Sequence, residues 1–225
     1  MIKVTRASDS TSQDIFALSN GPLNWSALNT FCNATTCKVG VYDQMGHAGN
    51  DAITGTIPPI TIAAIPYVAW DGASRLTMTS FTSTGAQPYW MSMVSLRTTC
   101  AGSCAEQAFI SFGGATEFGY FAATGNLIIY AGNGWLQPAL TDGAVHSIIA
   151  KFNGATSQYD IDNAGIQTGG ADIGANALSA TAELGSRSGA NFANGRFYEG
   201  LIFKTNTPNV TALAANQCTR YSLGC

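Results

Sequence analysis

The sequence predicts an all-β sandwich with a short C-terminal helix. Three features carry this: many short β-rich runs, clusters of Gly, Asn and Ser at close spacing between them, and enough apolar residues for a two-layer core. Hydrophobic residues make up 46% of the 225 positions and charged residues 10%, against roughly 25% charged in an average soluble protein. Strands are expected at Ile2 to Arg6, Lys38 to Tyr42, Tyr67 to Trp70, Tyr89 to Arg97, Ala108 to Phe112 and Phe118 to Ala122. More follow at Leu127 to Tyr130, Val145 to Phe152, Tyr159 to Asp162, Thr181 to Leu184 and Arg196 to Phe203. Tyr159-Asp160-Ile161-Asp162 alternates apolar with polar, as a half-buried strand does. Leu127-Ile128-Ile129-Tyr130 is apolar throughout and is expected at the centre of a sheet. Ala123-Thr124-Gly125-Asn126 and Asn153-Gly154-Ala155-Thr156-Ser157 read as hairpin turns, because Gly and Asn tolerate positive φ.

Two helices are expected. Pro22 to Cys32 would turn Leu28 and Phe31 inward. Thr207 to Ser222 would start with Thr207 as N-cap and Pro208 in the first turn, with Val210, Leu213, Ala214, Gln217 and Tyr221 forming its buried stripe. No repeat, linker or charge block divides the chain, so residues 1–225 are expected to form one domain.

The net charge is −3, with no basic run, which excludes an electrostatic footprint for nucleic acid. No stretch approaches the ~20 apolar residues of a membrane-spanning helix; Pro58, Pro59 and Pro66 interrupt the best candidate. Six cysteines fall into local pairs, Cys32 with Cys37, Cys100 with Cys104 and Cys218 with Cys225. An even count in pairs, without C-x-x-C and with two histidines, reads as disulfides in an oxidising compartment. An extracellular, cell-surface or virion-surface location follows as the expectation. The Ser, Thr, Asn and Gly-rich surface suits sugars or other protein chains, so the expected partners are a glycan or copies of the chain itself in a homo-oligomer or larger assembly.

Val4-Thr5-Arg6-Ala7-Ser8-Asp9, Phe31-Cys32-Asn33-Ala34-Thr35-Thr36-Cys37 and Val41-Tyr42-Asp43-Gln44-Met45-Gly46 together resemble the start of the arabinofuranosidase B catalytic domain. Ala193-Asn194-Gly195-Arg196-Phe197-Tyr198-Glu199-Gly200 resembles its closing strand, and the half from His146 to Gly185 is also similar to laminin G-like domains. The resemblance implies a concanavalin A-like jelly roll. It also implies hydrolysis of arabinosides by a carboxylate nucleophile and a carboxylic acid. Aligned on the family, the nucleophile position holds Thr124 and the acid loop reads Ser186-Arg187-Ser188. A hydroxyl of ordinary acidity does not replace a carboxylate nucleophile without an added base. The expectation is therefore a non-catalytic extracellular module, glycan-binding or an assembly subunit of a particle or fibre; the alternative is a secreted glycosidase of the arabinofuranosidase type.

Candidate ligand-binding residues are Tyr42, Asp43, Gln44 and Trp135, the last in a Gly-rich loop where its ring suits sugar stacking. Asp43 equally suits a turn cap. Trp70 and Trp90 sit in apolar strands and read as core. Glu117 and Glu199 are the carboxylates that an active enzyme would use as a pair. Glu106 reads as solvated, His146 as a satisfied half-buried side chain, and Arg6 with Asp9 as a turn lock. Asp160, Asp162 and Asn163 offer three oxygens where calcium takes six to eight, so no cofactor is expected and calcium is the lesser reading. No catalytic residue and no metal ligand is assigned.

Overall fold

The computed structural model describes residues 2–15, 24–32, 36–41, 51, 55, 58–61, 67–78, 80–82, 84–99, 105–135, 138–204 and 207–225. The elements are β1 (Ile2–Arg6), β2 (Ser12–Ile15), α1 (Trp25–Cys32), β3 (Cys37–Val41), β4 (Ile60–Thr61), β5 (Tyr67–Asp71), β6 (Leu76–Met78), β7 (Tyr89–Arg97) and β8 (Glu106–Phe112). Next come β9 (Thr116–Phe121), β10 (Leu127–Tyr130), β11 (Val145–Phe152), β12 (Gln158–Ile161), β13 (Gln167–Thr168), β14 (Ala182–Leu184), β15 (Asn194–Phe203) and α2 (Val210–Arg220). All eleven predicted strands form, within two residues at each end. Four short strands, β2, β4, β6 and β13, carry too little pattern to be read from sequence.

Two antiparallel sheets form the sandwich. One has the order β10-β9-β8-β14-β6 and the other β13-β12-β11-β7-β15-β5-β4. Alternate side chains of both sheets meet in one core: Phe109, Phe112, Phe118, Tyr120 and Leu127 from the first, Met91, Met93, Ile148, Phe152 and Phe197 from the second. A third sheet, β2-β1-β3, joins the β4 edge through a Lys38–Pro59 bridge and the bond from Val39 N–H to Pro58 O. Val39 enters the main core, while Val4, Ile15 and Leu28 make a small core under α1.

The expectation that Leu127–Tyr130 is central is corrected: β10 is the edge of its sheet. Its apolar character comes from what covers that edge, since Leu127 N–H bonds Pro138 O and Ala131 N–H bonds Ile173 O. Thr207 does not cap α2. Asn209 does, accepting from Ala212 N–H at 3.1 Å, and Pro208 stands before the cap. The buried stripe of α2 forms as read: Val210 and Ala214 pack on Trp90 and Ile149. Gln217 bridges Ser92, Ser147 and Glu199 on the outer face of the seven-stranded sheet.

One irregularity decides that contact. In β15, Phe197 stands opposite Ser95 and Glu199 opposite Val94, so a β-bulge inserts Tyr198 as an extra residue. Phe197 points inward, and Tyr198 and Glu199 both face outward. The disulfides Cys32–Cys37 and Cys218–Cys225 close α1 against β3 and the end of α2 against the C-terminus. Cys100 and Cys104 lie outside the described residues. Among the described residues, no helix is long and apolar enough to cross a membrane.

Candidate functional site

The outer face of the five-stranded sheet carries a row of functional side chains. The strand registers set Tyr130 of β10 opposite Glu117 of β9, Glu117 opposite Ser111 of β8, Ser111 opposite Glu183 of β14, and Glu183 opposite Thr77 of β6. Local pattern explains this. Phe118 and Tyr120 point into the core, so Glu117 must point out; Ala182 is buried in the sandwich, so Glu183 must do likewise. Glu117 and Glu183 are separated by two strand spacings, roughly 9.6 Å between backbones.

A flap, residues 185–191, folds over the row. Gly185, Ser188, Gly189 and Asn191 all have positive φ, between 49° and 83°. Gly185 is obligatory, because a Cβ there would stand 2.5 Å from the Trp70 ring. The curled flap turns Arg187 onto the sheet. Its Nη1 donates to Glu117 Oε2 at 2.5 Å and to Glu106 Oε2 at 2.9 Å, and its guanidinium lies 5.6 Å over the Tyr130 ring. Asn191 Nδ2 donates to the same Glu106 oxygen at 2.6 Å. On the other side of Ser111, Ser186 Oγ and Gly189 N–H donate to Glu183 Oε2, and Arg75 Nη1 stands 3.5 Å from Glu183 Oε1.

Glu117 is 0% exposed and its Oε1 has no hydrogen-bond partner. Burial pushes its carboxyl up from 4.5 to about 7; the Arg187 hydrogen bond pulls the other way, and the Glu106 charge adds to the rise. Three carboxylates against two guanidiniums give this face a formal charge of −1, which a proton on Glu117 cancels. Beside the cluster runs an aromatic shelf. Trp135 stacks on Tyr130 with ring centres 4.3 Å apart and leans on Phe121 at 5.2 Å. All three rings are partly exposed.

Among the sequence-derived candidates, Trp135 joins this face. Tyr42, Asp43 and Gln44 lie outside the described residues. The pairing of Glu117 with Glu199 is overturned: Glu199 lies on the outer face of the opposite sheet. There it is held by Gln217 Nε2 at 2.7 Å, Tyr221 Oη at 3.0 Å and Arg220. Glu106 is not solvated but clamped. Thr124 sits in the exposed turn after β9, where its Oγ1 accepts from Asn126 N–H. Asp160 and Asp162 do not form a solvated polar face. Asp160 is 3% exposed and burial raises its carboxyl. Both Asp162 oxygens accept, from Ser147 N–H and His146, and among the described residues no group of three or more His, Cys, Asp or Glu is placed to hold a metal ion. Arg6 and Asp9 form the expected lock, at 3.2 and 2.6 Å. Sequence reasoning missed Glu183, Tyr130 and the clamp made by Arg187. The signal for Glu183 was present, in a lone carboxylate between apolar residues of a strand.

A family model described as "Alpha-L-arabinofuranosidase B, catalytic" matches residues 1–89. An arabinofuranosidase complexed with arabinofuranosyl-alpha-1,2-xylobiose superposes with a TM-score of 0.66 at 20% identity, covering 95% of this chain and 57% of that one. The chain has the fold of an arabinofuranosidase B catalytic domain. A GH54 α-L-arabinofuranosidase soaked with a cyclic sulfate inhibitor gives 0.65 at 22% identity, with 95% and 58% covered. This arabinofuranosidase-like fold thus spans less than two thirds of the length of these neighbours. Domain 4 of AbnA, an extracellular arabinanase from Geobacillus stearothermophilus in complex with arabinotriose, gives 0.54 at 13% identity, with 78% and 86% covered. No curated protein sequence matches the chain.

Proposed function

We propose that this domain is a non-catalytic, extracellular glycan-recognition module, and that it binds neutral sugars on the outer face of the five-stranded sheet. The observation that carries the reading is the placement of Arg187. A glycosidase of this general type needs two carboxyl groups facing each other across an open cleft. Here one guanidinium nitrogen joins Glu106 and Glu117, and Glu183 is tied to the same flap. What remains presented outward is a shelf of three partly exposed rings edged by Arg187, Glu106 and Asn191. Flat rings take the apolar face of a sugar, and paired polar groups take its hydroxyls. The arabinotriose bound to the AbnA domain makes arabino-oligosaccharides the first ligands to try. The disulfides Cys32–Cys37 and Cys218–Cys225 support an oxidising compartment. Assembly of several copies on a surface or particle is compatible with this role and is read by the same preparation in solution scattering.

A second reading, an active glycosidase, draws on one observation: Glu117 and Glu183 flank Ser111 on one face, and Glu117 holds a proton near neutrality, as a general acid must. Titration calorimetry with arabinotriose, beside turnover of 4-nitrophenyl arabinofuranoside, separates the two. The module reading expects binding without turnover, weakened at least about tenfold, or 1.4 kcal/mol, in Trp135→Ala. Turnover abolished by Glu117→Gln would establish the enzyme instead.

A further inference from the structure

We propose that His146 is a proton-operated latch that fastens the loop before β11 to the end of the sandwich and, through that loop, steadies the Phe121 end of the aromatic shelf; its last step rests on the glycan-binding reading of that shelf.

The geometry leaves one protonation state that satisfies every contact. His146 Nδ1 stands 2.6 Å from Asp162 Oδ2, and Nε2 stands 2.9 Å from Thr141 O. A carbonyl oxygen can only accept. An ionised carboxylate likewise only accepts, and both Asp162 oxygens are engaged, the second by Ser147 N–H at 2.9 Å. Both ring nitrogens must therefore donate, and the ring is an imidazolium. The charged groups around it agree. Asp162 acts on it from the turn after β12 and Asp142 from the loop, the latter paired to Arg97 of β7. From β9, the Tyr120 hydroxyl reaches Ser95, the cross-strand neighbour of His146, and burial keeps that phenol protonated. Gln217 of α2 touches neighbouring Ser147 and is neutral. Burial disfavours the charged ring, but the bonds to Asp162 and Thr141 outweigh it and raise its proton affinity.

The latch leads onward through a buried relay. Asp142, next to Thr141, grips Arg97 through Nε at 2.8 Å and through Nη2. Arg97, almost wholly buried, donates from Nη1 to Phe121 O at 3.2 Å and Ala122 O at 2.6 Å. When the ring loses a proton, the charge-assisted bond to Asp162 is the stronger and is kept. Nε2 then turns a lone pair toward Thr141 O, and the loop loses that one of its bonds to the sandwich while Asp142 still holds Arg97. The stabilisation is complete below the ordinary imidazole value of about 6.5 and disappears as pH rises through the raised value.

The test uses the full chain with its disulfides intact. Nitrogen NMR of the His146 ring should show both nitrogens protonated at pH 6. Hydrogen exchange of residues 139–144, corrected for intrinsic rate, should become about tenfold faster once the ring is neutral, the equivalent of one hydrogen bond. His146→Gln should remove that pH dependence. A neutral ring at pH 6, or the same dependence kept in His146→Gln, overturns the latch. Arabinotriose affinity, measured in a Glu117→Gln background so that no second nearby group titrates, should fall several-fold over the same range. If the ring and the loop behave as stated while affinity stays flat, the link to the shelf is overturned. If no sugar binds at any pH, the glycan reading fails, and the latch is decided by the ring and the loop.

Discussion

Replacing Glu117 by glutamine asks how much folding free energy the sandwich surrenders to hold a carboxyl group in a dry place. The side chain is fully covered, one of its oxygens has no partner, and burial raises its proton affinity from 4.5 to about 7. In the unfolded chain the same group ionises near its ordinary value. Between these two pH values the native state holds a proton that the unfolded state has released, so stability falls as pH rises. A gap of about two and a half pH units, at about 1.36 kcal/mol each, gives a loss of ~3 kcal/mol that is complete above pH 7. Glutamine keeps the shape and cannot ionise. The variant should match the parent within about 1 kcal/mol at pH 4.5, where the replaced group is largely neutral in the native state. By pH 8 it should have gained up to ~3 kcal/mol relative to the parent, the opposing pull of Arg187 being already contained in the raised value. Urea unfolding across this range measures the difference, since urea does not screen ion pairs and the titration of His146 cancels between the two proteins. Parallel stability curves would refute the reasoning. A variant that becomes relatively weaker with rising pH would mean that Arg187 holds Glu117 ionised and that the desolvation argument has the wrong sign.

Two further outcomes follow from the seven-stranded sheet and its helix. Gln217→Leu keeps the volume at a fully buried position but leaves the Ser92 and Ser147 hydroxyls without their partner and takes one of three from Glu199, and should cost ~3 kcal/mol in urea unfolding; a loss below 1 kcal/mol would show that these groups find other partners. Asn209→Ala removes the cap on Ala212 N–H and should cost about 1 kcal/mol, a drop of about 3 °C in Tm by calorimetry.

The fold was legible because alternation and turn chemistry act over a few residues. Tyr89–Arg97, Leu127–Tyr130 and Val145–Phe152 match their expected bounds to the residue. Ser12–Ile15 and Gln167–Thr168 escaped because they are short, almost wholly exposed edge strands, held by pairing rather than by apolar pattern. Trp135 was legible as a partly exposed ring from its Gly-rich setting. The carboxylate row was not, because it is a property of register. Glu117 and Glu183 are 66 positions apart, and only the pairing of three strands puts them on either side of Ser111. Arg187 was visible as a departure from the family's acid loop, yet its role as a clamp depends on a flap curled by four positive φ angles. No local signal separates such a flap from an ordinary surface loop. Glu199 misled for a related reason, since β alternation alone cannot say which side of a strand a residue takes once an extra residue has been inserted.

That insertion governs how the chain ends. Tyr198 breaks the two-residue rhythm of β15, so a motif that would otherwise drive its glutamate toward Met93 and Ile110 instead offers it to the underside of the terminal helix. Forcing Tyr198 into the ladder opposite Val94 would remove the bulge and swap the two sides of the strand beyond it, taking Glu199 away from Gln217, Tyr221 and Arg220. The polar contacts that dock the terminal helix thus depend on one tyrosine left out of the ladder, twelve residues before that helix begins.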